Sequence, residues 1–400
     1  MKKILYVSEY IPYPKIPHAG GQTLYYYFYN LMICHPHDFD ITLIGACTKE
    51  EAHFIDNCDY NANVIKCIIK GTFIADFCRK LFNVYGKIIK KSEIQKSYYK
   101  TYLILQKVKH LAQNGYQPNV IILEWTEMVI LAKTIKKYFP LAKIIASEHD
   151  VTYVRYLRLY ENAATDKALF KKKYELVKKE ELTALDNVDV IMPQSIKDKE
   201  RLIDVGVDKN KIYVNIPFYK LMNDVARNDI KCQILFWGAM YRQENYEAAL
   251  WFIDNVLPSL NSDIKFIVAG NKPPKILEEK KSERVVVTGY VEDVSQYFST
   301  SMCFVAPLKN GAGIKVKVLE ALSSGIPVLT NDVGIEGIPA INGEHYFHCN
   351  DAKNYIKIID DLYKHKINTK SLSEKQKDFI KKNFNLLDSF YRYQKLLAEL

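Results

Sequence analysis

No stretch of this chain reaches the roughly 18 consecutive apolar residues of a membrane-spanning helix. Its first apolar run, residues 4–7, is too short for a secretory signal, and Glu9 follows at once. The eight cysteines contain no C-x-x-C pair, and without a secretory signal they read as reduced thiols of a cytoplasmic protein. Signatures of DNA- or RNA-binding modules are missing too. The chain is basic, with a formal net charge of +10 and 29 Tyr. Its excess charge falls on one stretch rather than across a platform, which argues against nucleic acid as a partner.

What is present is enough for two cores of ordinary size: 400 residues, 48% of them apolar. Strand-like and helix-like segments alternate throughout, which calls for parallel sheets built from βαβ units. Residues 217–229 lack periodicity and mark the break between two α/β domains. The tail from about Glu374 to Leu400 reads as one last helix carrying Phe379, Phe384, Phe390, Tyr393 and Leu396.

The most informative stretch is 301–330, a strand, a glycine-bearing loop and a helix. Residues 303–306 form a short buried strand, and Gly311 and Gly313 allow a tight turn with close backbone approach to a ligand. A helix expected from about Ile314 then presents free N–H groups and the positive end of its dipole, so Gly313 and Ile314 are candidate anion contacts. Gly325 closes the helix. Lys315 and Lys317 are two apart and point different ways, whereas Lys317 and Glu320 are three apart and share a face. Two readings compete for that pair: a surface ion pair worth about 0.2–0.5 kcal/mol, or a phosphate ligand beside a carboxylate that holds two ribose hydroxyls. Val316, Val318, Leu319 and Ala321 surround the pair and favour the second.

These residues resemble family 4 glycosyltransferases of the GT-B fold, which transfer sugar from a nucleotide-diphosphate donor. The segment 320–329, Glu-Ala-Leu-Ser-Ser-Gly-Ile-Pro-Val-Leu, follows the second half of the family motif. The motif's first Glu falls on Ala312, and residues 311–321 fit the branch that reads Gly-x-Gly-x-Lys-x-Lys-x-Leu-Glu-Ala. The resemblance implies two Rossmann-like domains facing across a cleft: residues 1–216 binding acceptor, residues 217–380 binding the nucleotide-sugar, and residues 381–400 forming a helix that crosses back to the first domain. Gly238, at the end of the strand 234–239, and Arg242 match the element that opens the second domain near the donor phosphates; an ordinary loop cation is the other reading of Arg242. Gly20 and Gly21, followed by a helix from about Gln22, match the glycine pair of the first domain. His149 lies just past the strand 143–147, where open α/β sheets carry their ligands, and the family often has a His there. The other readings are a packed or capping His149, and Asp150 as N-cap of the next helix.

The implied donor site is thus Gly20, Gly21, Gly238, Gly313, Ile314, Lys315, Lys317 and Glu320, with His149, Lys317 and Arg242 as the groups that carry chemistry. No resident cofactor and no metal are called for, since lysine and helix amides take the cation's place. His345, His348 and Cys349 lie together in sequence, but the family has no metal there. The implied acceptor is a glycan or a lipid-linked sugar. In residues 77–100, basic residues alternate with Phe77, Leu81, Phe82, Val84, Tyr85, Ile88 and Ile89, a pattern suited to an anionic membrane surface at the inner face of the membrane. A solvated helix face over an ordinary core stripe explains the same pattern. Two rival functions share the fold: a nucleotide-sugar epimerase and a non-catalytic nucleotide-binding subunit, the latter suggested by Ala312.

Overall fold

The computed structural model describes the chain except residues 15, 17, 18, 35, 36, 90, 91 and 218–220, and the side chains of 19, 33, 34 and 87. Lys90 and Lys91 of the basic stretch, and part of the expected domain break, lie outside the described residues. The chain divides into two units, Met1–Tyr219 with Leu386–Leu400, and Lys220–Asn385.

The first unit holds β1 (Lys2–Ser8), β2 (Phe39–Thr48), β3 (Asn63–Lys70), β4 (Val120–Glu124), β5 (Lys143–Glu148) and β6 (Val190–Pro193). They form one sheet in the order β3-β2-β1-β4-β5-β6, every described pairing parallel. The second unit holds β7 (Lys231–Trp237), β8 (Lys265–Ala269), β9 (Val285–Gly289), β10 (Ser301–Ala306), β11 (Val328–Thr330) and β12 (Phe347–His348). Their order is β12-β11-β10-β7-β8-β9, again parallel. Renumbered from its own first strand, the second sheet has the same doubly wound order as the first. Each therefore reverses direction once, between β1 and β4 and between β7 and β10. The crevice at that reversal, beyond the carboxyl ends of the strands, is where such sheets take ligands.

The central strands are continuous apolar runs because helices cover both faces of a parallel sheet. Residues 4–7 and 303–306 are fully buried. Each such side chain contributes about 1.5–3 kcal/mol of burial.

Four sequence expectations need correction. The last helix is two: Thr369–Asn383, then Leu386–Glu399, broken at Phe384 with φ −126° and ψ 45°. Phe379 and Phe384 pack on each other in the second unit, whereas Phe390, Tyr393, Leu396 and Leu397 join the core of the first. One continuous helix cannot serve both cores, so the segment that belongs with the first unit begins at Leu386 rather than 381. Tyr393 bonds Tyr6 through their hydroxyls at 2.7 Å, deep in that core. The helix expected from Gln22 starts at Ala19, with Gly20 and Gly21 inside its first turn. The helix expected from Ile314 starts at Val316, because Gly311 and Gly313 hold positive φ of 113° and 68° and the Lys315 carbonyl is the first acceptor, from Val318 N–H at 2.8 Å. Finally, the basic stretch 77–100 is not one surface. It divides into a helix, Phe73–Ile89, and the start of another, Tyr98–Gln113, whose Lys100 is buried against Glu9 at 2.6 Å and Glu127 at 2.9 Å.

A close backbone crossing fixes the site end of the second sheet. Gly270 has φ 148°, and a Cβ there would lie 1.6 Å from the Gly238 carbonyl oxygen. Gly343 shares a positive φ of 78° but faces open space. Gly270→Ala should therefore lower the thermal midpoint well beyond Gly343→Ala, whose cost is backbone strain of about 1–2 kcal/mol. Equal midpoints in differential scanning calorimetry would contradict this account.

Candidate functional sites in the two units

In the second unit, four side chains converge on the reversal point of the sheet. Trp237 ends β7, and its indole Nε1 donates to Glu320 Oε2 at 3.0 Å. Lys317 Nζ donates a short hydrogen bond to Asn245 Oδ1, and Asn245 is itself fixed by donating from Nδ2 to the Ala239 carbonyl at 2.8 Å. Gly238 makes this possible: a Cβ there would meet Lys317 Nζ at 3.2 Å and Asn245 Nδ2 at 3.1 Å. Burial pushes the Lys317 ammonium down to about 7, against the pull of the Glu244 carboxylate. Burial pushes the Glu320 carboxyl up to about 7, opposed by the Trp237 hydrogen bond and by Lys317. A half-buried cation and a half-buried carboxylate one turn apart, both shifted towards neutrality, are suited to answer a charged ligand.

The remaining candidates in this unit take distinct places. Lys315 turns away from Lys317, donating to the Gly313 carbonyl at 2.6 Å and pairing with the buried Glu336 at 3.3 Å. Arg242 precedes the helix Gln243–Asn255, half exposed, with Nε 2.9 Å from Glu244 Oε1; its charge is among those that depress Lys317. Gly313 and Ile314 stay in the loop before the helix, whose first turn is Val316 and Lys317. His345 accepts the Ile341 N–H at 3.0 Å and His348 faces Tyr346. Among the described residues no three His, Cys, Asp or Glu side chains group as metal ligands.

In the first unit the reversal point carries a second constellation. His149 Nε2 lies 2.9 Å from Glu124 Oε2 at the end of β4, and Gln194 Nε2 lies 3.0 Å from His149 Nδ1. With the Gln194 amide donating to Nδ1, the ring proton sits on Nε2 and points at Glu124. The ring also stacks on Trp125, with centroids 4.4 Å apart and planes 13° from parallel. Trp125 has φ 69°, a conformation that costs a bulky residue about 1–3 kcal/mol, and it adopts it under this ring. Gly20 abuts both rings: a Cβ would stand 3.2 Å from Trp125 and 3.4 Å from His149 Nδ1. A small, mainly apolar cavity here is lined by Leu24, Tyr27 and Met192, with Glu124, His149 and Gln194 as its polar edge. His149 is thus oriented on both ring nitrogens and one face.

Its neighbours are not what the sequence suggests. Asp150 does not cap the helix Thr152–Glu161; it pairs with Arg155 at 2.7 Å. The cap comes from Glu181, which accepts the Thr152 and Tyr153 N–H groups at 2.8 and 2.7 Å. Glu148 accepts Thr126 Oγ1 at 2.7 Å, and its other oxygen is buried without a partner. Burial pushes the Glu148 carboxyl up to about 8 and the Glu181 carboxyl well above its ordinary value, each raised further by neighbouring carboxylates. Glu9, just past the end of the first strand, is consumed by Lys100; burial raises its carboxyl, but Lys100 and Lys96 outweigh that and hold it below the ordinary range.

Trp237, Asn245, Glu124, Trp125 and Gln194 escaped the sequence reading. A usable signal existed for Glu124 and Trp125, a carboxylate and an indole directly after the apolar run 120–123. None existed for Asn245 and Gln194, whose partners are 72 and 45 residues away.

With this geometry in place, likenesses to other proteins gain meaning. Residues 231–365 match the family model described as glycosyl transferases group 1. That match lies within the second unit. Over 38% of its length the chain is 28% identical to an uncharacterized 44.6 kDa protein in the cps region of Klebsiella pneumoniae, and the match spans 43% of that protein. Solved structures align over the whole chain at low identity. HepE from Anabaena with UDP has TM-score 0.70 at 10% identity, with 100% of each chain covered. Sucrose-phosphate synthase from Thermosynechococcus elongatus has 0.71 at 14%, covering 100% of this chain and 99% of that one. A glycosyltransferase from Rickettsia africae has 0.65 at 15%, covering 100% and 98%. The chain has their fold, GT-B, with its two parallel six-stranded sheets.

Two outcomes follow from the side-chain networks. Trp237→Phe removes the hydrogen bond that Glu320 Oε2 accepts, so the Glu320 carboxyl should titrate higher still, while the melting curve barely moves. An unchanged Glu320 titration followed by NMR would refute it. Glu148 has a folded-state pKa raised from 4.5 to about 8, so its stabilising contribution is complete below 4.5 and is lost as pH rises through 8. Glu148→Gln should flatten the fall in thermal midpoint between pH 5 and 9, roughly the span of that shift; a parallel curve would refute it.

Proposed function

We propose that this chain is a glycosyltransferase that moves a sugar from a nucleotide-diphosphate-sugar donor to a glycan or lipid-linked acceptor. The observation that carries the reading is the placement of Lys317 and Glu320 side by side at the reversal point of the second sheet, one a half-buried cation held by Asn245 and the other a half-buried carboxylate held by Trp237. A diphosphate satisfies the first together with the N–H groups of Val316 and Lys317, and vicinal ribose hydroxyls satisfy the free oxygen of the second. Arg242 and Lys315 add positive charge nearby. HepE, structurally similar, was crystallised with UDP and with UDP-glucose, which lends support to a nucleotide-sugar as co-substrate.

Mechanistically, negative charge builds on the departing diphosphate, and donors already aimed at it lower the barrier without reorganisation. Lys317 is the principal such donor. Asn245 and Gly238 position it, and Trp237 positions Glu320. His149, held by Glu124 and Gln194, serves the sugar or acceptor side of the reaction. Retention of anomeric configuration and a place in surface polysaccharide or glycoconjugate synthesis belong to the same proposal; the relative from a cps region supports the latter. The protein would act in the cytoplasm at the inner face of the membrane. No described helix is long and apolar enough to cross a membrane.

A thermal-shift screen against UDP, GDP, ADP, TDP and CMP tests the reading. One diphosphate should stabilise the protein, and Glu320→Ala should abolish the shift; Lys317→Ala should cut turnover more than donor affinity. Affinity should peak near pH 7. Above it Lys317 loses the proton that the diphosphate needs, and below it Glu320 gains one that blocks the diol, so each limb falls by up to about tenfold per pH unit. Lys317→Met should remove the alkaline limb and Glu320→Gln the acid one. Absence of any nucleotide shift at millimolar concentration would overturn the proposal. Binding without turnover would indicate a non-catalytic subunit, and conversion of donor without acceptor an epimerase.

A further inference from the structure

The helix Phe73–Ile89 has two apolar faces, and among the described residues only one of them has a packing partner. The packed face carries Ala75, Phe82 and Gly86. Phe82 lies against Tyr99 and Tyr102, with ring centroids at 5.5 and 5.1 Å. Gly86 is where Tyr98 crosses, since a Cβ there would stand 2.4 Å from that ring. The other face carries Phe73, Phe77, Leu81, Val84, Tyr85 and Ile88, all exposed, Phe73 at 88% and Ile88 at 78%. At about 100° per residue these six fall within an arc of roughly 120°, so they form a continuous stripe rather than scattered apolar residues. Phe73 and Phe77 stack along it with planes 7° apart.

Charge tells what covers the stripe. Residues 70–91 contain six basic residues against one acidic, Asp76. Asp76 is paired with Arg79 at 3.3 Å, while Lys70 and Lys80 are exposed beside the stripe. A protein partner needs no such imbalance. An anionic bilayer meets both features, because the apolar stripe enters the acyl boundary and the lysines remain at the phosphate level.

We infer that the helix Phe73–Ile89 is a membrane-docking element that lies in the plane of an anionic lipid surface, with Phe73, Phe77, Leu81, Val84, Tyr85 and Ile88 inserted. The inference deepens the acceptor reading above by naming the surface on which the acceptor is met. It narrows the stretch expected from sequence, since Lys100 is buried in an ion network and Lys96 is paired with Glu127 at 2.7 Å.

Co-sedimentation of the full chain with vesicles tests it, using phosphatidylcholine with and without 30 mol%, in round figures about a third, phosphatidylglycerol. Association with the anionic vesicles alone is expected, weakening as salt is raised. The variant Phe77→Ser/Leu81→Ser/Ile88→Ser should lose at least about tenfold in affinity with no fall in thermal midpoint, because the three side chains are solvent-exposed. Lys80→Glu should weaken association several-fold while leaving the stripe intact. No association with anionic vesicles, or undiminished association of the triple variant, would overturn the inference. So would a dimer in size exclusion that the triple variant dissolves, since the stripe would then belong to a second copy. Nucleotide-induced stabilisation, measured on the same variants, distinguishes failure of the docking element from failure of the glycosyltransferase reading.

Discussion

Everything that looks functional in this protein depends on one constraint, the topological reversal of a doubly wound parallel sheet. Successive strands on either side of that point lead their connections to opposite faces, so the carboxyl ends of β1 and β4, and of β7 and β10, are left uncovered by crossover helices. Trp237 and Gly238 stand at one such end, Glu124 and Trp125 at the other. The repeated strand order gives each unit the same place for a site and lets the side chains there differ.

Within that frame the two sites use burial in opposite ways. In the second unit, desolvation brings Lys317 and Glu320 towards a common titration point near neutrality. In the first, desolvation is countered by fixed partners: Lys100 keeps Glu9 ionised, and hydrogen bonds on both nitrogens keep His149 in one orientation. Burial instead raises the Glu148 and Glu181 carboxyls, and both Glu181 oxygens accept N–H groups at the start of a helix. The strained backbone of Trp125 and the glycines at 20 and 238 belong to the same economy of space, since each brings a ring or a backbone within contact distance of a polar group.

Much of this was legible in the chain. Apolar runs such as 4–7 and 303–306 can only be strands buried on both faces, and their alternation with amphipathic helices dictates parallel sheets. The three-residue spacing of Lys317 and Glu320, with apolar neighbours on either side, placed both on one helix face. Boundaries were less legible. Helix starts at Gly20–Gly21 and at Ile314 were misplaced by two or three residues, because hydrogen-bond acceptors at a helix end are set by the backbone turn before it, not by residue type. The tail appeared to be a single helix, because its apolar residues keep a helical period across a break that only competition between two cores explains.

The sequence by itself determined the fold class, the second unit's site helix and the cationic, amphipathic character of residues 73–89, because these follow from local spacing and composition. The tertiary structure alone decided who holds whom. Asn245 reaches Lys317 across 72 residues, Trp237 reaches Glu320 across 83, and Gln194 reaches His149 across 45. It also turned Glu9 and Lys100 into a buried pair and left the stripe on the helix Phe73–Ile89 uncovered. Such pairings depend on the register of strands far apart in the chain, and register is a property of the assembled sheet rather than of any segment within it.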